Sequence, residues 1–159
     1  MNSLVVYYSR TGITKHVGEI IADKTDGDIE EIISEVNYNG KIGFAKAGKH
    51  SLSEKIIDIG EMKHDPADYD VVYLGCPVWA GKAATPLISY LNKNDGKFRE
   101  VKFFLTAMSS EFEKAFAEME KYSIKPSATL GLTTKEVKKD EFEEKLSKFI
   151  GEIPCQLKR

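Results

Sequence analysis

The sequence is short of most features that would commit a chain to a specialised class. It has two cysteines in 159 residues, Cys76 and Cys155, too few and too far apart for a disulfide framework or a thiolate metal site. Its three histidines, His16, His50 and His64, lack the paired spacing of a metal ligand set and read as surface residues. No apolar run approaches the ~18 residues of a membrane span. The N-terminus passes straight into a strand-like segment, without the basic start and ~7–15-residue apolar run of a signal peptide. A reducing cytoplasm is therefore the expected setting. An excess of one charge is missing too: 23 Lys+Arg stand against 25 Asp+Glu, for a net charge of −2, and nothing in that balance calls for nucleic acid. There is no internal repeat and no low-complexity tract. What remains is 42% hydrophobic and 30% charged, an ordinary globular make-up, with enough chain for one domain over residues 1–159 and a sizeable core.

Strand-like and helix-like segments alternate along that chain. Leu4-Val5-Val6-Tyr7-Tyr8 is an apolar run suited to a fully buried strand. Ile13, Val17, Ile20 and Ile21 then recur at helical spacing. Asp26-Gly27-Asp28 is a turn, and Ile29 to Ile33 reads as a second strand nearer a sheet edge. From about Glu35 to Glu54 the chain is Gly-rich, with room for a short helix over 41–50; its length and place make it a candidate cover for a ligand. Tyr69 to Cys76 is a third strand, with Trp79 in the turn beyond it. Thr85-Pro86 opens a helix with Leu87, Ile88 and Leu91 inward, ended by Asn94-Asp95-Gly96. Val101 to Thr106 is a fourth strand. Ser109 or Ser110 is expected to cap a helix whose Phe112, Ala115, Phe116 and Met119 face the core, before Lys125-Pro126 breaks it. Ser127 to Leu132 is a fifth strand. Asp140 to Ile153 reads as a last amphipathic helix, with the lysines of 135–148 on a solvated face. Alternation of this kind predicts a doubly wound α/β fold, a parallel sheet with helices on both faces. Ligands of such sheets lie beyond the carboxyl ends of the strands.

Two turns at that end carry chemistry. Between the first strand and helix stand Ser9, Arg10, Thr11, Gly12, Ile13 and Thr14. A helix N-terminus offers unpaired N–H groups and about half a positive charge to an anion. Ser9, Thr11 and Thr14 add hydroxyls, and Gly12 allows close approach or a positive φ. Simple helix capping by Thr11 or Thr14 is the plainer use of such residues; three hydroxyls around a glycine favour a phosphate. After the third strand come Pro77, Val78, Trp79, Ala80, Gly81 and Lys82. Trp79, the single tryptophan, is suited to stack on a planar ligand. Packing against an adjacent loop is its alternative.

These stretches resemble the flavodoxin family. Ser9, Thr11, Gly12 and Thr14 fill the pattern of its FMN-phosphate loop, and Pro-Val-Trp-Ala-Gly over 77–81 is similar to the second loop of short flavodoxin-domain proteins. The resemblance implies a flavodoxin-like five-stranded sheet of order 2-1-3-4-5. It implies phosphate held by residues 9–14 and isoalloxazine contacts from Pro77, Val78, Trp79, Ala80 and Gly81, with Lys82 either near the flavin's N1–O2 edge or in solvent. The third family loop falls at Thr106 to Glu111, contributing Ala107, Met108 and Ser109. That loop lacks the family's acidic, Gly-rich character and its stacking Tyr, so the ring's second face is expected to be open or covered by the 35–54 segment. The net charge is also less negative than in typical flavodoxins. The implied function is FMN-binding electron transfer between redox partner proteins, with the chain a monomer or homodimer.

Other readings are weaker. An FMN-dependent oxidoreductase carrying hydride from NAD(P)H to a quinone or similar acceptor is the alternative, and the lack of a dinucleotide glycine motif tells mildly against it. A domain that keeps the fold for another phosphate ligand, or for none, is a third. Gly75 to Lys82 is not a P-loop, because Ala83 stands where Ser or Thr is needed. A phosphoacceptor Asp is missing where Gly75-Cys76 stand, against a receiver domain. Cys76 has neither an Arg nor a base partner nearby and reads as a buried strand-end thiol.

Overall fold

The computed structural model describes residues 2–151. Its centre is β1 (Ser3–Tyr7), β3 (Val71–Trp79) and β5 (Val101–Ala107). Side chains alternate between the faces of a strand, and in β1 both sets are apolar, so both faces must be covered. Leu4 and Val6 belong to one buried cluster with Leu74, Phe103 and Leu105; Val5 and Tyr7 belong to another with Tyr73, Phe104 and Leu132. The first cluster is closed by α3 (Thr85–Lys93) and α4 (Glu113–Lys121), the second by α1 (Ile13–Thr25) and α6 (Glu143–Ile150). Adding β2 (Asp28–Glu31) and β6 (Ala128–Thr133) gives five parallel strands in the order β2-β1-β3-β5-β6. This is the expected 2-1-3-4-5 arrangement, carrying one extra two-stranded hairpin. At Gly75, facing Phe104 across the β3–β5 pair, a Cβ would stand 2.1 Å from the Phe104 ring. The glycine lets that ring lie flat on the sheet.

Several boundaries differ from the sequence expectation. The third strand does not stop at Cys76. It continues through Pro77 and Val78 to Trp79, then turns back as β4 (Lys82–Ala83), antiparallel to it. The Gly-rich segment contains a helix longer than expected, α2 (Gly40–Leu52). Its Gly43 is there for close approach: a Cβ would sit 2.2 Å from the Tyr38 carbonyl carbon. Neither Ser109 nor Ser110 caps α4, whose N-cap is Phe112. The expected C-terminal helix is α6, which begins after Asp140 turns the chain at a φ of 52°, and a short helix not foreseen, α5 (Thr134–Lys138), precedes it, opened by a capping box between Thr133 and Glu136. Ile153 and Cys155 lie outside the described residues. The histidines are not all free surface groups. His64 Nδ1 meets Glu30 at 2.8 Å, His50 Nδ1 meets the Tyr38 hydroxyl at 2.8 Å, and His16 Nε2 meets Asp140 at 2.9 Å. Among the described residues no helix is long and apolar enough to cross a membrane, and no three His, Cys, Asp or Glu side chains gather into a metal site.

One buried carboxylate holds the hairpin. Glu118, on α4, accepts a hydrogen bond from the Ala83 backbone N–H at 2.9 Å and is 5% exposed. Burial raises its pKa above the ordinary carboxyl range. The folded protein therefore binds that proton more tightly than the unfolded chain, and this group costs stability as pH rises through the ordinary range towards the raised value. Glu118→Gln keeps an acceptor for Ala83 and removes the charge. Its urea midpoint should match or exceed the wild type at pH 7, with the advantage gone at pH 4. Glu118→Ala leaves the Ala83 N–H unpaired and should lose about 1–3 kcal/mol.

Candidate functional site

The first turn leaves β1 at Tyr7 and reaches α1 through Gly12, whose φ of 96° is left-handed and suits glycine. Ser9 shapes it from inside: its Oγ accepts the Gly12 N–H at 3.0 Å. No side chain caps α1, so its first-turn N–H groups and positive dipole end are left for a ligand. Thr11 is exposed at that end. Thr14 is buried, and its hydroxyl pairs with that of Thr106, at the end of β5, over 2.8 Å. Each hydroxyl has one proton, so one oxygen of this pair keeps a proton to offer elsewhere.

The second turn is the hairpin Trp79-Ala80-Gly81-Lys82. Ala80 (φ 52°) and Gly81 (φ 79°) are both left-handed, the two-residue turn that matches the twist of paired strands. Trp79 is therefore the last residue of a strand, not part of a free turn. Its ring is 7% exposed, edge-on to Tyr8 at 5.5 Å and tilted by 60° on Tyr38 at 4.8 Å. Burial pushes the Tyr8 and Tyr38 phenols up to about 12, so both stay neutral. Cys76 is fully buried and its thiol is pushed far up by burial, which leaves it without thiolate character.

Arg10 joins the first turn to α2. Its Nε donates to the Tyr38 carbonyl at 2.9 Å and its Nη2 to the Gly40 carbonyl at 3.1 Å. Its guanidinium carbon lies 5.4 Å from the centre of the Phe44 ring.

Between these pieces lies a cleft of about 350 Å³, within the range of small-molecule sites. The first turn contributes Arg10, Thr11, Ile13 and Thr14 to its lining, and the end of β3 contributes Pro77, Val78 and Trp79. Ala107 comes from the end of β5 and Met108 from the loop that follows it. Ser9, Gly12, Ala80, Gly81, Lys82 and Ser109 are not in the lining. Ser9 and Gly12 act on it through backbone shape. Ala80 and Gly81 instead border a neighbouring hollow with Ser110 and Glu111. Phe44 and Thr134 line the cleft and were not singled out from the sequence; Thr106, read as the start of the third loop, lines it too, and Lys138, expected on a solvated helix face, faces it instead. The Thr133–Glu136 capping box was a readable sign of a helix start beside Thr134; nothing in the 35–54 pattern marks Phe44. Arg10 and Lys138 are the charged groups of this lining, and no carboxylate is among them. The arrangement suits an anionic group at α1 and a flat apolar body towards Val78 and Met108.

A family model described as flavodoxin matches residues 2–152. Solved structures of the same fold include the flavoprotein from Lactobacillus acidophilus NCFM in complex with FMN. It is 23% identical, with 87% of this chain and 97% of that one covered and a TM-score of 0.71. The flavodoxin of Streptococcus pneumonia TIGR4 is 14% identical, with 99% and 100% covered and a TM-score of 0.57. At such identities the likeness establishes the fold. No curated protein matches the chain in sequence.

The Thr14–Thr106 pair lends itself to a double-mutant cycle. Thr14→Val and Thr106→Val each strand one buried hydroxyl, and each should lower the unfolding free energy by about 1–3 kcal/mol. The double variant strands none and should cost clearly less than the sum of the two, read from urea denaturation.

Proposed function

Because the chain belongs to the flavodoxin family, we propose that it binds one FMN in the cleft and passes electrons through it between partner proteins. The observation that carries this reading is the continuity of the cleft. The uncapped N-terminus of α1, with Thr11 and Thr14, opens into the same space as Pro77, Val78 and Met108, without a carboxylate in its lining. The first part fits a phosphate monoester and the second a planar ring, so the residues present fit the cofactor. Bound FMN supplies the redox chemistry, and the protein positions it and tunes its electronics. The first-turn amides and the hydroxyls of Thr11 and Thr14 hold the phosphate in this reading. Ser9 keeps Gly12 turned so that those amides face outward. Pro77, Val78, Ala107 and Met108 exclude water from the ring, and Trp79, wedged between Tyr8 and Tyr38, gives the slot a rigid floor. Ala80, Gly81, Lys82 and Ser109 stand one or a few residues beyond this lining.

The purified protein is expected to be yellow and to release FMN on denaturation. Thr14→Val should weaken FMN about ten- to a hundredfold more than riboflavin, since only FMN carries the phosphate that the hydroxyl would bond. Equal weakening of both would place Thr14 outside the phosphate site. Under anaerobic conditions, NADH or NADPH alone should bleach the bound flavin slowly, whereas dithionite bleaches it at once. Fast stoichiometric bleaching by a nicotinamide would replace the carrier with the oxidoreductase.

A further inference from the structure

We propose that Phe44 is the aromatic wall of the ring site, the side chain on which the isoalloxazine stacks, and that Arg10 holds it there. The inference rests on the FMN reading of the cleft. α2 seats itself through Gly43, Ala47 and Ser51, which are buried. Phe44 follows the first of these and turns away from the core, 66% exposed and lining the cleft. A phenyl ring that open beside an apolar cleft is unused stacking surface. It is not loosely held. The guanidinium that stands 5.4 Å from its centre is anchored to the carbonyls of Tyr38 and Gly40, so the head of α2 and the ring share one clamp. Trp79 is poorly placed for the same work. Its ring is already committed to Tyr8 and Tyr38, and it is 7% exposed. The loop after β5 brings Met108, 89% exposed, and no aromatic residue to the lining. Phe44 is thus the one exposed aromatic ring in the lining among the described residues, and its natural ligand is a planar heteroaromatic.

The test uses two ligands on the apo-protein: FMN, and lumiflavin, which has the ring without ribityl or phosphate. Phe44→Ala should weaken both to a similar degree, about five- to a hundredfold, by analogy with bases stacked on aromatic residues. Phe44→Tyr and Phe44→Trp should restore binding, and Phe44→Leu, apolar but not flat, should not. Trp79 emission of the apo-protein reports the seat of α2, since Trp79 packs on Tyr38, and it should be unchanged in Phe44→Ala. The proposal falls if Phe44→Ala binds both ligands within twofold of the wild type. It falls equally if FMN weakens while lumiflavin does not, which would move Phe44 to the phosphate end. A shift of Trp79 emission, with binding unrestored by Tyr or Trp, would make Phe44 a merely structural residue. A wild-type protein that binds neither ligand overturns the FMN reading itself, an outcome separate from these.

Discussion

The structure depends on one constraint: β1, β3 and β5 are buried on both faces. A parallel strand with no wet side cannot carry polar side chains along its length, and these strands carry few. Helices must then pack on both faces, and polar chemistry is pushed to the strand ends. There the chain turns into helices or hairpins and its backbone groups come free. Thr14 and Thr106 mark that border. They are among the few hydroxyls this deep in the molecule, and each satisfies the other at the place where the sheet gives way to the cleft.

The cleft is composite, in that no single element could form it. α1 contributes an electrostatic end, β3 a buried edge terminated by a tight hairpin, β5 a threonine, the loop after it a methionine, and α2 an aromatic ring. Two contacts between elements keep these parts in register. Arg10 ties the first turn to the head of α2, and Glu118 ties α4 to the returning strand of the hairpin. Arg10 is a charged donor to two backbone carbonyls and Glu118 a buried acceptor of a backbone N–H, and both are demanding in direction.

Much of this was legible in the sequence because it follows from period and punctuation. The buried strands announce themselves as continuous apolar runs, and α3 by Thr85-Pro86 at one end and Asn94-Asp95-Gly96 at the other. The first turn was readable as a strand-to-helix junction because an apolar run ends before Gly12 and helical spacing begins at Ile13. What escaped depends on distant contact. Gly43 argues against a helix until Tyr38 is seen pressing on it. Trp79 reads as a loop residue because Pro77 suggests the strand has ended, yet β3 continues to pair through Val78 and Trp79 with β4. Phe44 had no periodic partner to betray it; its place is set by Arg10, thirty-four positions away.

Tyr38 draws these threads together. Its carbonyl accepts Arg10, its ring packs on Trp79 and its hydroxyl meets His50 Nδ1 at 2.8 Å, so one residue fastens the first turn, the sheet and the last turn of α2. None of the three contacts can release without loading the others. α2 is then unable to fray from its first residue as an ordinary surface segment does; it opens as a body or stays shut. Motion of α2 would then keep the time of a docked helix, microseconds to milliseconds, and not the nanoseconds of a loop.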